Sequence, residues 1–509
     1  PTTVLSTRRW RDAPVLSQSH DGEIRLVLLC SHADDKAAWE ELARRLPDDP
    51  RTRCESARVA EPEGCDAANR YEHLGWHVIE HVRGLLEGRV RERALVQVVI
   101  GDAPEDALSS GIVGLLRSAQ LENPLLRGQL ISLDTSAGVE RWLEALRETA
   151  TTSDEEIRYR GASRESASLA ELPALTGASP YKAGGVYLVT GGLGRLGMLF
   201  ARDILDHAPR AHVVLAARGE PDGETAAQLL AWTNAGHIVD HHRADCADPD
   251  DVTRLVNEIE RSHGALDGVI HAAGVLRDGF LLAKSRDDYL AVLRAKVHGV
   301  VQLDRAIGAR ALDFFVMFSS VSGTSGNVGQ GDYAAANGFL DAYAADRQAR
   351  VSRGERHGRT VSIGWPQWEE GGMRLPPLVG EMLRASGRLA LTTPDGLAAF
   401  RAALACDAAH VHVRRRQGLD ASTSPAALVT TALPPPVAMT SRDASRHPAV
   451  DRLREAVATQ LKIAPAQIDA RAPFSRYGVD SILVMQLTAE LEKIFGPLPK
   501  TLFFEYPTL

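Results

Sequence analysis

A layered α/β fold, built as two doubly wound units with a short helical module behind them, is what this sequence predicts. Three observations carry that reading. Strand-length apolar runs alternate with helical stretches over the first third of the chain. A second alternation opens at Gly185, headed by a glycine-rich turn, and runs to about Arg415. The composition then shifts, and an apolar-periodic helical segment follows. Length agrees: 509 residues at about 150 per domain leave room for roughly three units.

Composition excludes several classes. Apolar residues make up 44% and charged residues 24%, near the globular average, which argues against disorder and fibrous repeats. The longest apolar stretches, such as Leu26 to Cys30 and Val213 to Ala217, have strand length. A membrane span needs about 18 apolar residues, so no membrane partner is expected. Lys and Arg number 58 against 66 Asp and Glu, a net charge of −8, which argues against nucleic acid. The five cysteines (Cys30, Cys54, Cys65, Cys246 and Cys406) lack the pairing of a zinc site, and no metal is expected. A chain of this size needs no disulfide staples, so reduced thiols in a cytoplasmic setting are expected. Pro1-Thr2-Thr3-Val4 has neither an initiator Met nor a signal-peptide pattern and reads as the start of a fragment.

The elements follow in order. Residues 1–184 should hold strands at Arg25–Cys30, Leu95–Ile100 and Gln129–Leu133, with helices at Ala38–Leu46 and Arg70–Leu86. No glycine-rich phosphate loop follows any of these strands, so this unit is expected to be structural and to bind no cofactor. Residues 185–415 should place strands at Val186–Val189, His212–Ala216, Gly268–His271, Phe314–Phe318 and Arg359–Gly364. Over 416–446, Ala421-Ser-Thr-Ser-Pro-Ala-Ala and Pro434-Pro435-Pro436 suit neither a helix nor a central strand and read as a partly extended linker. Residues 447–509 form the helical module.

The strand Val186-Tyr-Leu-Val-Thr190 runs straight into Gly191-Gly-Leu-Gly-Arg-Leu-Gly197, and a helix over Met198–Leu205 comes next. Gly192, Gly194 and Gly197 make G-x-G-x-x-G in the strand–turn–helix context that a dinucleotide requires. Glycine allows the tight turn and the close approach of backbone to a pyrophosphate seated on the helix N-terminus. Thr190, Gly191, Leu193 and Leu196 complete the expected cradle. The second strand ends at Ala217-Arg218, where an arginine suits a ribose 2′-phosphate and so NADPH. Asp245, with Cys246 beside it, follows the strand-like stretch Gly236–His241 and is placed to meet the adenine.

Five segments then combine: Thr190 to Gly197, His271-Ala-Ala-Gly274, Ala295-Lys-Val-His-Gly299, Phe318-Ser-Ser320, and Tyr333-Ala-Ala-Ala-Asn337-Gly-Phe-Leu-Asp341. Together they resemble the ketoreductase domains of modular polyketide synthases, within the short-chain dehydrogenase/reductase superfamily. With the C-terminal module, the resemblance covers essentially the whole chain. It implies a first third that is a truncated, cofactor-free Rossmann-like subdomain, and Leu115-Leu-Arg-Ser-Ala-Gln-Leu-Glu-Asn-Pro124 looks like the corresponding family stretch. It also places Ala273 against the cofactor.

Reducing a ketone needs a hydride donor on one face and a proton donor at the oxygen. Tyr333 is the candidate acid and also lies against the cofactor. A free phenol near pKa ~10 is poorly matched to neutral pH, and a nearby ammonium would lower it. Most short-chain reductases carry that lysine four residues after the tyrosine, where this chain has Asn337. The resemblance implies that Lys296 supplies it from an earlier helix. Ser320, thirteen residues before Tyr333, would then hydrogen-bond the substrate carbonyl, and Asn337, on the same helix face as Tyr333, would hold a proton-relay water.

Gly364-Trp-Pro-Gln-Trp368 and Gly371-Gly-Met373 resemble the family's substrate-side loop and lid, which assigns Trp365 and Met373 to the substrate. The Trp-Pro-x-Trp form is similar to systems that use a separate, trans-acting acyltransferase; core tryptophans in a buried turn are the plain alternative. One stereochemical type of these reductases resembles a Leu-Asp-Asp element, and the other carries a tryptophan eight residues before the tyrosine. Here the element reads Leu276-Arg277-Asp278, and Ser325 occupies the tryptophan position. Asp278 therefore points to a D-configured hydroxyl, the alternative being a cap on the Gly279–Ala283 turn.

Gly478-Val-Asp480-Ser481-Ile482 precedes an apolar-periodic helix, Leu483 to Phe495. A serine there is ordinarily an N-cap. The surroundings, with Leu498-Pro-Lys-Thr-Leu-Phe-Phe-Glu-Tyr506, resemble an acyl carrier protein, which implies phosphopantetheine on Ser481 near a helix dipole that favours the phosphodiester. The implied partners are a tethered β-ketoacyl chain, a phosphopantetheinyl transferase and other domains of the same synthase. The expected function is NADPH-dependent reduction of that chain; the alternative is a non-catalytic scaffold that positions the carrier.

Overall fold

The computed structural model describes residues 2–16, 23–30, 36–46, 51–56, 66–88, 92–371 and 389–416, and a scatter of residues between 453 and 506. The described strands form one 14-stranded sheet. Its first half comprises β1 (Thr2–Asp12), β2 (Ile24–Leu29), β3 (Thr52–Ser56), β4 (Ala94–Gly101), β5 (Leu126–Leu133), β6 (Glu156–Arg160) and β7 (Ser163–Glu171). Its second comprises β8 (Val186–Thr190), β9 (His212–Ala217), β10 (Ile238–Arg243), β11 (Gly268–His271), β12 (Phe314–Ser320), β13 (Arg359–Trp365) and β14 (His410–Arg416). The order across the sheet is β10-β9-β8-β11-β12-β13-β14-β1-β7-β6-β5-β4-β2-β3.

β2–β6 of the first half and β8–β14 of the second are parallel Rossmann-like stacks, with strands such as β4 and β12 buried along nearly their whole length, as parallel sheets covered on both faces require. The halves meet at an antiparallel seam. β1 pairs with β14 on one side and β7 on the other, Leu5 opposite Val413 and Trp10 opposite Ala167. The expectation of two doubly wound units is met by a single continuous sheet. β1, which no apolar pattern announces, is what joins them.

The helices used below are α1 (Lys36–Arg45), α2 (Ala67–Glu87), α3 (Pro104–Ala107), α4 (Val113–Glu122), α5 (Gly138–Ala150), α6 (Arg195–His207), α7 (Gly223–Asn234), α8 (Pro249–His263), α9 (Arg286–Leu293), α10 (Gly299–Ile307), α11 (Ser322–Ser325), α12 (Gly331–Ser352) and α13 (Thr393–Ala405). α12 is the spine of the second half, buried from Gly331 to Ala344, and it lies against α2, α4 and the 3₁₀ turn Leu108–Ile112 of the first half. Glycines make that approach possible. A Cβ on Gly338 would stand 2.1 Å from the Gly111 carbonyl oxygen, and one on Gly111 would stand 2.5 Å from Gly338.

Near the C-terminus, Val457, Ala458, Ile468, Leu487, Leu491 and Phe503 bury one another in a small apolar cluster. Among the described residues, no helix is long and apolar enough to cross a membrane.

Candidate active site

The strand order reverses at β8, with β9 on one side and β11 on the other, which opens a crevice at their C-terminal ends. The glycine turn fills the floor of that crevice. Gly191 holds φ +65°, and a Cβ there would meet Ala273 Cα at 2.8 Å. A Cβ on Gly192 would strike Leu215, and one on Gly197 would stand 2.5 Å from the Gly191 carbonyl oxygen. At Gly194, the N-cap of α6, the added atom would meet only the Gly191 carbonyl oxygen, and no side chain caps the helix. A closed turn below and an uncapped helix N-terminus facing the crevice fit a dinucleotide pyrophosphate. Thr190 is buried and shares a 2.7 Å hydrogen bond with His271 Nδ1, which ties β8 to β11. Burial, helped by the Lys296 charge, pushes His271 down to about 3, so that link is made by a neutral ring.

Arg218 is exposed just past β9. Arg243, at the end of β10, donates from Nε to the Arg218 carbonyl at 3.1 Å, which brings a second guanidinium to the same edge. Asp245 braces its own turn: Oδ1 accepts from the Ala247 amide at 3.0 Å, and Oδ2 lies 3.4 Å from Arg294. Burial pushes the neighbouring Cys246 thiol up to about 11, so it is no nucleophile at neutral pH. Leu193 and Leu196 sit half-buried on the turn and pack against the core beneath.

Lys296, Ser320, Tyr333 and Asn337 converge from three elements. Lys296 sits in a π turn, Arg294–His298, between α9 and α10; such bulges re-aim side chains at functional sites. Its Nζ is buried, donates to the Phe318 carbonyl at 2.7 Å and lies 5.5 Å from the centre of the Tyr333 ring. Ser320 ends β12, its Oγ accepts from the Ser322 amide at 3.2 Å, and its hydroxyl hydrogen-bonds the Tyr333 phenol. Asn337, fully buried one turn beyond Tyr333, donates from Nδ2 to the Tyr333 carbonyl at 2.7 Å. Its Oδ1 is buried without a hydrogen-bond partner in the structure, a spare acceptor beside the phenol.

Burial raises the Tyr333 phenol, against the smaller lowering by Asn337 and Ser320, and the Asp278 charge adds to the rise. Burial also drives Lys296 down to about 8, with its Nζ engaged by the Phe318 carbonyl.

The family described as KR domain matches residues 185–370, and the phosphopantetheine attachment site family matches 451–509. Polyketide synthase PksL of Bacillus subtilis (strain 168) is 34% identical over 86% of this chain, which spans 10% of that protein. Polyketide synthase ThaG of Burkholderia thailandensis is 34% identical over 97% of the chain and 9% of its own length. This chain is thus about a tenth as long as the curated relatives it matches. A crystal structure of a ketoreductase domain from the bacillaene assembly line is 30% identical, with a TM-score of 0.76 over 82% of this chain and 97% of that one. This chain belongs to the polyketide synthase ketoreductases. Behind its reductase fold it carries a carrier segment with a phosphopantetheine attachment site, and the KR family implies a nicotinamide cofactor.

In this ketoreductase the substrate-side residues do not all stand where expected. Trp365 is 4% exposed, its ring packed edge-on against Trp368 at 5.0 Å and Phe318 at 5.6 Å. It is a core tryptophan rather than a substrate contact, because its ring turns into the apolar cluster with Phe200 of α6. Asp278 does not cap the turn that follows, whose N-cap Phe280 has no side-chain bond; its Oδ1 accepts from Gln330 at 3.0 Å instead. Met373, Ser481 and the linker beyond Arg416 lie outside the described residues.

Sequence reasoning missed Arg243, Gln330 and a buried ionisable group of Glu122, Lys284 and Asp332. Glu122 lies within the quoted stretch Leu115 to Pro124, and Asp332 immediately precedes the tyrosine, but a charged residue reads as surface until its surroundings are known. Asp341, His410 and His412 bring ligand-type groups together, yet they are already engaged: His410 Nε2 lies 3.2 Å from Asp341, and His412 Nε2 bonds Thr324 Oγ1 at 2.6 Å.

Proposed function

We propose that this ketoreductase reduces a β-ketoacyl thioester, carried on phosphopantetheine at Ser481, to the β-hydroxyacyl thioester with NADPH. The observation that carries this reading is the convergence of Lys296, Ser320, Tyr333 and Asn337 beside the glycine turn. A reduced nicotinamide, when bound in the crevice, supplies the hydride that the ketone carbon gains. Tyr333 gives its phenolic proton to the ketone oxygen, while the Ser320 hydroxyl donates a second hydrogen bond to the same oxygen. Lys296, as the ammonium, stabilises the phenolate left behind. Asn337 Oδ1 offers an acceptor that would hold a water, and that water would pass a proton from solvent to the Tyr333 phenolate.

Two guanidiniums at the β9–β10 edge, Arg218 and Arg243, support a 2′-phosphate and hence NADPH over NADH. Asp278 at the mouth, together with Ser325 where the other type has tryptophan, supports a D-configured alcohol. The Trp365-Pro-Gln-Trp368 form supports a synthase served by a trans-acting acyltransferase. A phosphopantetheinyl transferase and neighbouring synthase domains are the partners.

The test uses the full chain, primed at Ser481 by coenzyme A and a phosphopantetheinyl transferase and loaded with a β-ketoacyl group. On adding NADPH, the carrier should gain the mass of two hydrogens as NADPH absorbance falls. Failure of the wild-type chain to gain that mass would overturn the reductase reading. A predominantly L-configured product on chiral chromatography would overturn the stereochemical one.

A further inference from the structure

Two short segments frame Tyr333, and both are held by buried ionisable groups outside the tetrad: the Lys284–Asp332 ion pair and Glu122, whose carboxyl burial pushes up to about 8. Lys284 Nζ forms a 2.8 Å ion pair with Asp332 Oδ2, and both side chains are 1% exposed. The same ammonium donates to the Arg277 carbonyl, which closes the stretch 277–284 on itself and onto the start of α12. Asp332 Oδ1 accepts the Tyr333 amide at 2.9 Å. From the first half of the molecule, Glu122 is fully buried and divides its two oxygens: Oε2 accepts the Leu281 amide at 2.8 Å, Oε1 the Gly329 amide at 3.0 Å. Arg83 of α2 reaches the Leu281 and Lys284 carbonyls of the same stretch. The Gly279 amide donates to the Gly329 carbonyl at 2.8 Å and completes the ring.

Buried charges are expensive and persist where geometry over-determines them. Here the ring spans the mouth at Asp278 and Gln330 and ends on the amide of the tyrosine itself. Resting on the reductase reading above, we infer that Lys284 and Asp332 are positioning residues for Tyr333, and that Glu122 is the means by which the first half sets the height of the catalytic phenol and of the stretch carrying Asp278. The role assigned to the first half is thereby sharpened from support to alignment of the reacting group.

The experiment compares Lys284→Met, Asp332→Asn and the double variant Lys284→Met/Asp332→Leu, in the full chain. A misplaced reacting group costs about 10²-fold in rate, so each single variant should lose roughly that in kcat, with KM and cofactor Kd within about twofold. Replacing both members of a buried pair by apolar groups commonly restores stability. The double variant should therefore recover Tm but not kcat. Recovery of kcat together with Tm would show a merely structural pair and overturn the proposal, as would single variants with wild-type kcat. Hydrogen exchange supplies a readout independent of turnover. In Glu122→Gln, the amides of 279–284 and 329–333 should lose protection together, and unchanged protection there would overturn the role of Glu122. A wild-type chain that reduces nothing would defeat the reductase reading alone, the exchange result still deciding whether the ring is real.

Discussion

Lys296 Nζ lies 5.5 Å from the centre of the Tyr333 ring while it donates to the Phe318 carbonyl at 2.7 Å. The lysine is thus a buried cation held at ring distance by a backbone acceptor on the neighbouring strand, with its affinity for a proton reduced to about 8. The tyrosine beside it is buried and hard to ionise on its own. A phenol that keeps its proton until the ketone oxygen needs it, next to a cation that favours the product phenolate, is an arrangement suited to proton donation.

Removing only that proton donor should separate binding from chemistry. Tyr333→Phe should lower the reduction rate by about 10²–10⁴-fold, the usual worth of general acid catalysis, with cofactor affinity nearly unchanged. Stopped-flow absorbance and fluorescence titration check the two halves of this expectation.

The pH dependence has a definite sign. Below about 8 Lys296 is an ammonium, and above it the charge is lost, so the rate should fall as pH rises through that value. Asp341 is the charge that opposes the effect of burial on Lys296. Asp341→Asn should therefore move the falling limb to lower pH. A pH–rate profile of wild type and variant, each normalised to its plateau, checks the direction.

At the β9–β10 edge, Arg218→Ala and Arg243→Ala should each weaken NADPH by about tenfold to a hundredfold, the range for losing a charge-assisted hydrogen bond. NADH affinity should change by less than about twofold. Equal losses for both dinucleotides in a binding titration would remove these arginines from phosphate recognition.

Asp304 offers a prediction on stability. It is 1% exposed on α10 and pairs with Arg347 Nε at 2.7 Å, Arg350 at 3.0 Å and Arg356 at 3.1 Å, with Tyr343 Oη donating at 2.9 Å. Asp304→Ala strands the buried Arg347 guanidinium and should cost about 3–5 kcal/mol. Chemical denaturation followed by circular dichroism measures it.

What the sequence made legible was whatever chemistry fixes in type and spacing. Gly192 and Gly197 are demanded by close backbone approach, and Lys296, Ser320, Tyr333 and Asn337 are the types that the proposed proton transfer calls for; the structure brings these four together. The five strands expected in the second half, β8, β9, β11, β12 and β13, end within one or two residues of expectation, because buried parallel strands are written as unbroken apolar runs, whereas β14 was not foreseen. β1 was invisible for the opposite reason. Three of its eleven residues are arginine, only Leu5 and Ser6 are buried, and its partners are a polar strand and one four hundred residues away. Trp365 misled because its spacing cannot say which way a strand-end ring turns. Glu122, Lys284 and Asp332 stayed hidden because the cost of burying a charge is settled by tertiary neighbours alone.

The antiparallel seam has a consequence for how the molecule is made. Thr7 Oγ1 bonds the His410 carbonyl across 403 positions, so β1 leaves the ribosome long before the strand that must flank it exists. At a synthesis rate of about 5–20 residues per second, it waits some tens of seconds with one edge open, paired at most with β7. Contacts of such long sequence separation are slow to form, and exposed strand edges invite pairing with other chains. The charged side chains that obscured β1, Arg8, Arg9 and Arg11, are the kind that discourage such pairing, and they guard that edge during the interval in which the reductase is half built.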